Sequence, residues 1–283
     1  MRERTGWSVI LHGGCKPIGR DQMEPNRAGL SAALSAAVGW LESGGSALDA
    51  VESAVMRMED DPTFNAGQGS VRRADGSVEM DAAIMDGTDL SIGAVCVVRD
   101  VRNPVRIARE LLDARETLIA GENAAQLAPT RSPAVGPTAL AGGDTVGCVA
   151  LDTAGRIAVA VSTGGLTHAR PGRIGDTPLP GCGFYADSFV GGVAATGVGE
   201  SISRTLLAAR TIVALEASQP PQAAVEAALL HLARVGGDAG LIAMDRTGQI
   251  GWSHTGDQFA VGWARGPSPI LHVEIAGVED THG

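Results

Sequence analysis

The chain has 283 residues, enough for one large domain or two small ones, and a compact fold of that size buries about three quarters of its unfolded surface without a disulfide or metal staple. A net charge of -10 argues against nucleic acid or an anionic membrane as partner, since both select basic patches. Hydrophobic residues make up 44% of the chain and aromatics only 3%, so Ala, Val, Leu and Ile must fill the core, and the 39 glycines, gathered in short clusters, point to tight turns and close backbone approaches.

Val9-Ile10-Leu11 is a short apolar run ending in His12-Gly13-Gly14, the pattern of a buried strand entering a glycine turn. Residues 26–43 carry Ala, Leu and Val at helical spacing up to a Gly44-Gly45 stop. Ser46 and Asp49 then form a capping box for a second helix, from Ala47 to about Met58. Beyond the glycine loop Asn65-Ala66-Gly67-Gln68-Gly69-Ser70, Asp75-Gly76 suits a hairpin turn between two strands. Ile92 to Val98 is an apolar strand, and Pro104 to Ala114 a helix with proline in its first turn. From about Ala125 to Gly143 three prolines and a lack of periodicity mark an exposed linker. Thr145 to Leu151 and Arg156 to Ser162 are apolar strands joined by the hairpin Asp152-Thr153-Ala154-Gly155. Residues 164–199 are glycine-rich with few helix-compatible windows. Helices return at about 201–217 and 221–235, and Leu241 to Asp245 and Gln249 to Ser253 make a last strand pair. Strand pairs alternate with helix pairs in both halves, and helices must cover apolar strands, so a layered α/β fold with sheets inside is expected.

The sharpest local signal is Gly142-Gly143-Asp144-Thr145-Val146-Gly147, a linker ending at a threonine that opens a strand. A cut before Thr145 would put an α-amine and a hydroxyl on one residue. With a pKa of about 7.7–8.0, a useful fraction of that amine is neutral base near pH 7 and can take the hydroxyl proton. A threonine at a strand start is by itself usually structural. Thr163, in Ser162-Thr163-Gly164-Gly165, ends the neighbouring strand and can lie across the hairpin from Thr145. Thr196-Gly197-Val198-Gly199-Glu200 offers a second hydroxyl and an N–H beside glycine, the parts of an oxyanion hole. Arg173 and Asp176 form a charged pair in a glycine-rich loop: either a mutual salt bridge, or an arginine fork for a substrate carboxylate with an acid for a substrate ammonium.

With these residues in place, the chain resembles the plant-type asparaginase, isoaspartyl peptidase and glycosylasparaginase family of N-terminal-nucleophile hydrolases. The resemblance runs through His12-Gly13-Gly14, Asn65 to Gly69, Met80 to Gly87, Asn103-Pro104, Asp144 to Gly147, Ser162 to Gly165, Pro171 to Gly183 and Thr196 to Glu200. It implies one domain over 1–283 folded as a four-layer αββα sandwich, cut into an α subunit (1–144, with a linker at about 125–144) and a β subunit (145–283). Two such αβ units usually pair as a homodimer. By resemblance Thr145 is the nucleophile, Asp144–Thr145 the self-cleavage bond, and Thr163 a support for the Thr145 hydroxyl and amine. Thr196 and the Gly197 N–H would hold the oxyanion, Arg173 the α-carboxylate and Asp176 the α-amine, with Gly199 lining the substrate site and the Asn65 loop nearby. The implied activity is hydrolysis of the side-chain amide of L-asparagine or β-aspartyl dipeptides, with no cofactor; some relatives hold a structural sodium in the loop before Asn65. Asp144 stands where asparaginase-type members carry glycine and is the glycosylasparaginase-like residue. Cys15 and Lys16 follow the first glycine pair where small residues are usual. Two alternatives therefore stand beside the first reading, an N4-glycosylasparaginase and a ligand-binding member of the fold without turnover.

Nothing else in the chain competes. The cysteines Cys15, Cys96, Cys148 and Cys182 are widely spaced and read as packed thiols, with no metal-ligand spacing. His12 reads as a turn residue or core hydrogen-bonder, and His254 with Asp257 as a possible supporting pair. Glu79, Asp81 and Asp86 read as a buried network rather than paired catalytic acids. No run long enough for a signal peptide core or a membrane helix is visible, which points to a cytoplasmic protein.

Overall fold

The apolar runs of this chain are buried on both faces, the condition of a sheet covered by a second sheet on one side and by helices on the other. The computed structural model describes residues 6–128 and 144–277, so most of the linker expected at about 125–144 lies outside the described residues. β1 (Ser8–Cys15) leads into α1 (Arg20–Glu42) and α2 (Ala47–Asp60); β2 (Met80–Asp86) and β3 (Ile92–Val98) precede α3 (Pro104–Glu110), β4 (Leu118–Ala120) and the single turn α4 (Glu122–Ala125). β5 (Thr145–Leu151), β6 (Ile157–Thr163), β7 (Phe184–Asp187) and β8 (Gly191–Gly197) come next. Then follow α5 (Gly199–Thr205), α6 (Leu207–Glu216), α7 (Pro221–Leu229), β9 (Ala239–Asp245), β10 (Ile250–His254), β11 (Gln258–Arg265) and β12 (His272–Gly277).

One sheet has eight strands in the order β12-β11-β1-β5-β6-β2-β3-β4, the other four in the order β10-β9-β8-β7. Between them lies an apolar layer built from Ile10, Val149, Val159, Val161, Phe184, Met244 and Phe259. The first helices cover the outer face of the larger sheet through Leu30, Leu34, Val51, Val55 and Ile107. α6 and α7 cover the smaller sheet through Leu207, Ala208, Val225 and Leu229. The layers run helix, sheet, sheet, helix, the sandwich that the resemblance implied.

Local chemistry sets some of the boundaries. The Ser46–Asp49 capping box starts α2 as expected, with both reciprocal bonds present. The β5–β6 hairpin turns at Asp152, whose Oδ1 accepts from the N–H of Ala154 and Arg156. Four expectations need correction. β1 does not stop at a glycine turn: it runs through His12 to Cys15, with an irregularity in its pairing to β11 between His12 and Gly14. α1 begins at Arg20, well before residue 26, and carries Pro25 inside it. Asp75-Gly76 closes a local turn, Gly76 N–H to Arg73 carbonyl, and not a hairpin between strands; β2 instead pairs with β3 and β6. The helix of residues 201–217 is broken at Leu206, whose φ is 54°. β4, β7, β8, β11 and β12 were not anticipated. No helix among the described residues is long and apolar enough to cross a membrane.

Candidate active site

The two sheets bring the three threonines together. Thr145 opens β5 and pairs directly in register with Thr163 at the end of β6. Thr196 lies one residue from the end of β8 in the facing sheet, and its Oγ1 accepts the Thr145 N–H at 3.1 Å. All three side chains are buried. The chain is continuous at Asp144–Thr145, and the carbonyl oxygen of that bond accepts two hydrogen bonds, from Thr163 Oγ1 at 2.6 Å and from Asn65 Nδ2 at 2.8 Å. Asn65 is fixed in turn, donating to the Gly165 carbonyl and accepting the Val71 N–H through Oδ1. Thr163 thus bonds the carbonyl of Asp144 rather than the Thr145 hydroxyl. The Thr145 hydroxyl instead lies 3.1 Å from the hydroxyl of Thr177.

The Asp144 carboxylate is itself a buried ligand of the protein. Its Oδ1 accepts from Thr196 Oγ1 at 2.6 Å, from the Cys15 N–H at 2.8 Å and from the Thr145 N–H at 3.2 Å. Its Oδ2 has no hydrogen bond and faces Lys16 Nζ at 3.8 Å. Burial raises the pKa of this carboxyl, and Lys16 and the three donors oppose that rise. Gly14, at φ 121°, makes the contact possible: a Cβ there would fall 1.8 Å from Asp144 Oδ2. Cys15 is no rival nucleophile, because burial, helped by Asp144, pushes its thiol up to about 12. His12 is fully buried beside Thr145, and desolvation lowers its pKa to about 3, so it is a neutral ring stacked on Phe259 and not a turn residue.

On the other side of Thr145, Arg173 and Asp176 do not bond each other. Arg173 grips Glu200 with a bidentate fork, Nε to Oε1 at 2.9 Å and Nη2 to Oε2 at 2.7 Å. Asp176 is buried, and desolvation raises its pKa to about 7 against the opposing charge of Arg173. Both groups converge on Gly199, the first residue of α5: Arg173 Nη2 and Asp176 Oδ1 each lie 2.9 Å from where its side chain would start. Gly197 closes β8 next to Thr196. Glu79 and Asp81 form the expected buried network, with Arg73 Nε 3.3 Å from Glu79 and Asp81 accepting the Val97 N–H, but Asp86 stays out of it, half-buried and accepting the Thr88 N–H in an exposed turn.

A family model described as asparaginase matches residues 5–138 and 130–270. The chain belongs to the asparaginase family. Over 94% of its length it is 38% identical to the isoaspartyl peptidase/L-asparaginase of Homo sapiens and to that of Macaca fascicularis, covering 95% of each. It is also 38% identical to a probable isoaspartyl peptidase/L-asparaginase of Drosophila pseudoobscura pseudoobscura, over 94% of this chain and 95% of that one.

Within this asparaginase-family site, sequence reasoning missed two side chains. Thr177 touches the Thr145 hydroxyl from a loop with no periodicity, and its only sequence signal is adjacency to Asp176. Lys16 was noted as unusual but given no task, because the residue it faces is 128 positions away in the chain. His254 Nδ1 donates to the Gly256 carbonyl at 2.8 Å, remote from the threonines in role. Among the described residues no three His, Cys, Asp or Glu side chains gather as a metal site.

Proposed function

We propose that this chain is a self-processing N-terminal threonine amidohydrolase that cuts its own Asp144–Thr145 bond and then hydrolyses the side-chain amide of L-asparagine and of β-aspartyl dipeptides, releasing aspartate. The observation that carries this reading is the doubly hydrogen-bonded carbonyl of Asp144 beside the Thr145 hydroxyl. If Thr145 Oγ attacks that carbonyl carbon, the oxygen gains negative charge where Thr163 and Asn65 already donate, which is oxyanion stabilisation prepared in the ground state. Collapse breaks the C–N bond, the nitrogen takes a proton, and the resulting ester is hydrolysed by water. The products are a carboxylate on Asp144 and a free α-amine on Thr145.

In turnover the neutral α-amine takes the hydroxyl proton as Thr145 attacks the substrate's side-chain carbonyl. The amine or ammonia leaves with that proton, and water releases aspartate from the acyl-enzyme. Thr196, no longer donating to Asp144, serves the substrate oxyanion with the Gly197 N–H. Arg173 exchanges Glu200 for the α-carboxylate, Asp176 takes the α-ammonium, and Gly199 keeps room for both. No metal takes part in these steps, and a structural sodium in the loop before Asn65 belongs to the same reading. Two αβ units pairing as a homodimer, and a reducing cytoplasm suited to four buried free thiols, belong to the same reading.

Mass spectrometry of the purified protein tests it, with a β chain beginning at Thr145 as the expected result. Turnover of L-asparagine, a β-aspartyl dipeptide and N4-glycosylated asparagine is then compared. Reaction of the glycosylated substrate alone would move the assignment to glycosylasparaginase, the reading that Asp144 favours. A chain that stays as one 28.8 kDa species and hydrolyses none of the three would be a ligand-binding member of the fold.

A further inference from the structure

We propose that Lys16 is a specificity-determining residue that binds the free carboxylate of the leaving amino acid, so that β-aspartyl dipeptides are preferred over substrates whose leaving group is neutral. This rests on the self-cleaving amidohydrolase reading and deepens it.

The Lys16 side chain is 9% exposed, and its ammonium makes no hydrogen bond. Among the described residues its one ion-pair partner is Asp144, 3.8 Å away. That partner is the residue on the far side of the bond to be cut. Once the bond is severed and Asp144 withdraws, Lys16 is left as a buried cation without an anion, which is costly unless another anion takes the place. The pocket that Asp144 leaves is already built for a carboxylate: the Cys15 N–H donated into it beside the Lys16 ammonium.

Geometry decides which substrate carboxylate fits. The α-carboxylate of the aspartyl part belongs to Arg173, which sits with Asp176 and Gly199, while Lys16 sits with Cys15 and Asp144. The two cations therefore come from different elements, Lys16 just after β1 and Arg173 in the loop after β6. The leaving nitrogen must approach the Thr145 amine to receive its proton. In the continuous chain Asp144 Oδ1 lies 3.2 Å from that nitrogen, and the same carboxylate reaches Lys16 through its other oxygen. A carboxylate attached one carbon beyond the leaving nitrogen spans a similar distance. L-Asparagine has no such group, and a glycosylamine is neutral, so only the dipeptide uses Lys16.

The test compares a β-aspartyl dipeptide, such as β-aspartyl-alanine, with its C-terminal amide, using the processed enzyme quantified by its β chain. Wild type is expected to favour the acid over the amide by tenfold or more in kcat/KM, chiefly through KM. Lys16→Met is expected to bring that ratio close to one, and Lys16→Arg to keep most of it. Because the readout is a ratio of two substrates on one enzyme, incomplete maturation of a variant does not distort it. Equal turnover of acid and amide by wild type overturns the proposal, as does a Lys16→Met ratio like that of wild type; the wild-type ratio decides alone if Lys16→Met does not self-process. Failure of the underlying reading looks different: a processed wild type would hydrolyse neither L-asparagine nor either dipeptide.

Discussion

Thr145 stands between two sets of hydroxyl and amide donors that differ in what they hold. On the larger-sheet side, Thr163 and Asn65 both point at the carbonyl oxygen of Asp144, a group that exists only while the chain is whole. On the smaller-sheet side, Thr196 bonds the Asp144 carboxylate and the Thr145 nitrogen, and the first of those partners departs with cleavage whereas the second remains. On the proposed reading, the difference separates two tasks that share one nucleophile. One donor set is organised around the bond to be cut, and the other is occupied by the side chain that must leave before a substrate can enter. On the proposed reading, Asp144 in the uncut chain is both the acyl group and the plug of the pocket.

The largest expected effect removes what both sets serve. Thr145→Ala should leave an intact chain with no turnover of any amide; a variant that still appears as two chains on a denaturing gel contradicts the nucleophile. Next comes the contrast between the sides. Thr163→Val deletes one donor to the scissile carbonyl and should slow self-cleavage by about 10²–10³-fold, the usual loss for one oxyanion donor. Thr196→Val should lower kcat of the processed enzyme by a similar factor, about 10²–10³-fold. Pulse-chase measurement of cleavage set against kcat of the matured fraction reads the two effects separately. Equal losses in both quantities for both variants would dissolve the division of labour.

How much of this was legible in the sequence depends on what each residue's neighbours reveal. Thr145 and Thr163 sit at the ends of two continuous apolar runs joined by a short turn, so their pairing follows from strand length alone. β8 was hidden because Gly191-Gly192-Val193-Ala194-Ala195 carries almost no side-chain alternation. Its glycines are there for packing: a Cβ on Gly192 would lie 2.6 Å from Val149 of the facing sheet. Arg173 was legible as a fork, but not that Glu200 fills it, since exposed acids near a helix start are common. Thr177 and Lys16 act only through contacts made by the fold, and neither has a distinctive local pattern.

A smaller effect sharpens the substrate side of the comparison. Asp176 is neutral below about 7 because burial disfavours its charge, and a neutral acid holds an ammonium poorly. kcat/KM for L-asparagine should therefore climb through 7 as Asp176 ionises, beneath the further rise to about 8 that deprotonation of the Thr145 amine gives. Asp176→Asn should lower kcat/KM about 10–100-fold, the loss of one charge-assisted hydrogen bond, and erase the part of the climb below 7. An unchanged acid limb in Asp176→Asn would assign that limb to another group.

The smallest expected effect concerns stability and keeps it apart from chemistry. Glu59 lies beneath the loop that carries Asn65, with Oε1 accepting the Val105 N–H, and burial raises its pKa to about 8 from an ordinary 4.5. Between those two values the folded chain holds a proton that the unfolded chain has lost. Raising the pH through that window therefore lowers stability, and the loss is complete above about 8. Glu59→Gln cannot titrate and can keep the bond to Val105, so its Tm should vary less between pH 5 and pH 9 than that of wild type, by a few degrees at about 2–4 °C per kcal/mol. If the two melting profiles run parallel, Glu59 is not the buried acid that sets the slope. If Glu59→Gln instead slows self-cleavage, the seat of the Asn65 loop belongs to the cutting machinery and the first donor set extends one layer deeper than Thr163 and Asn65.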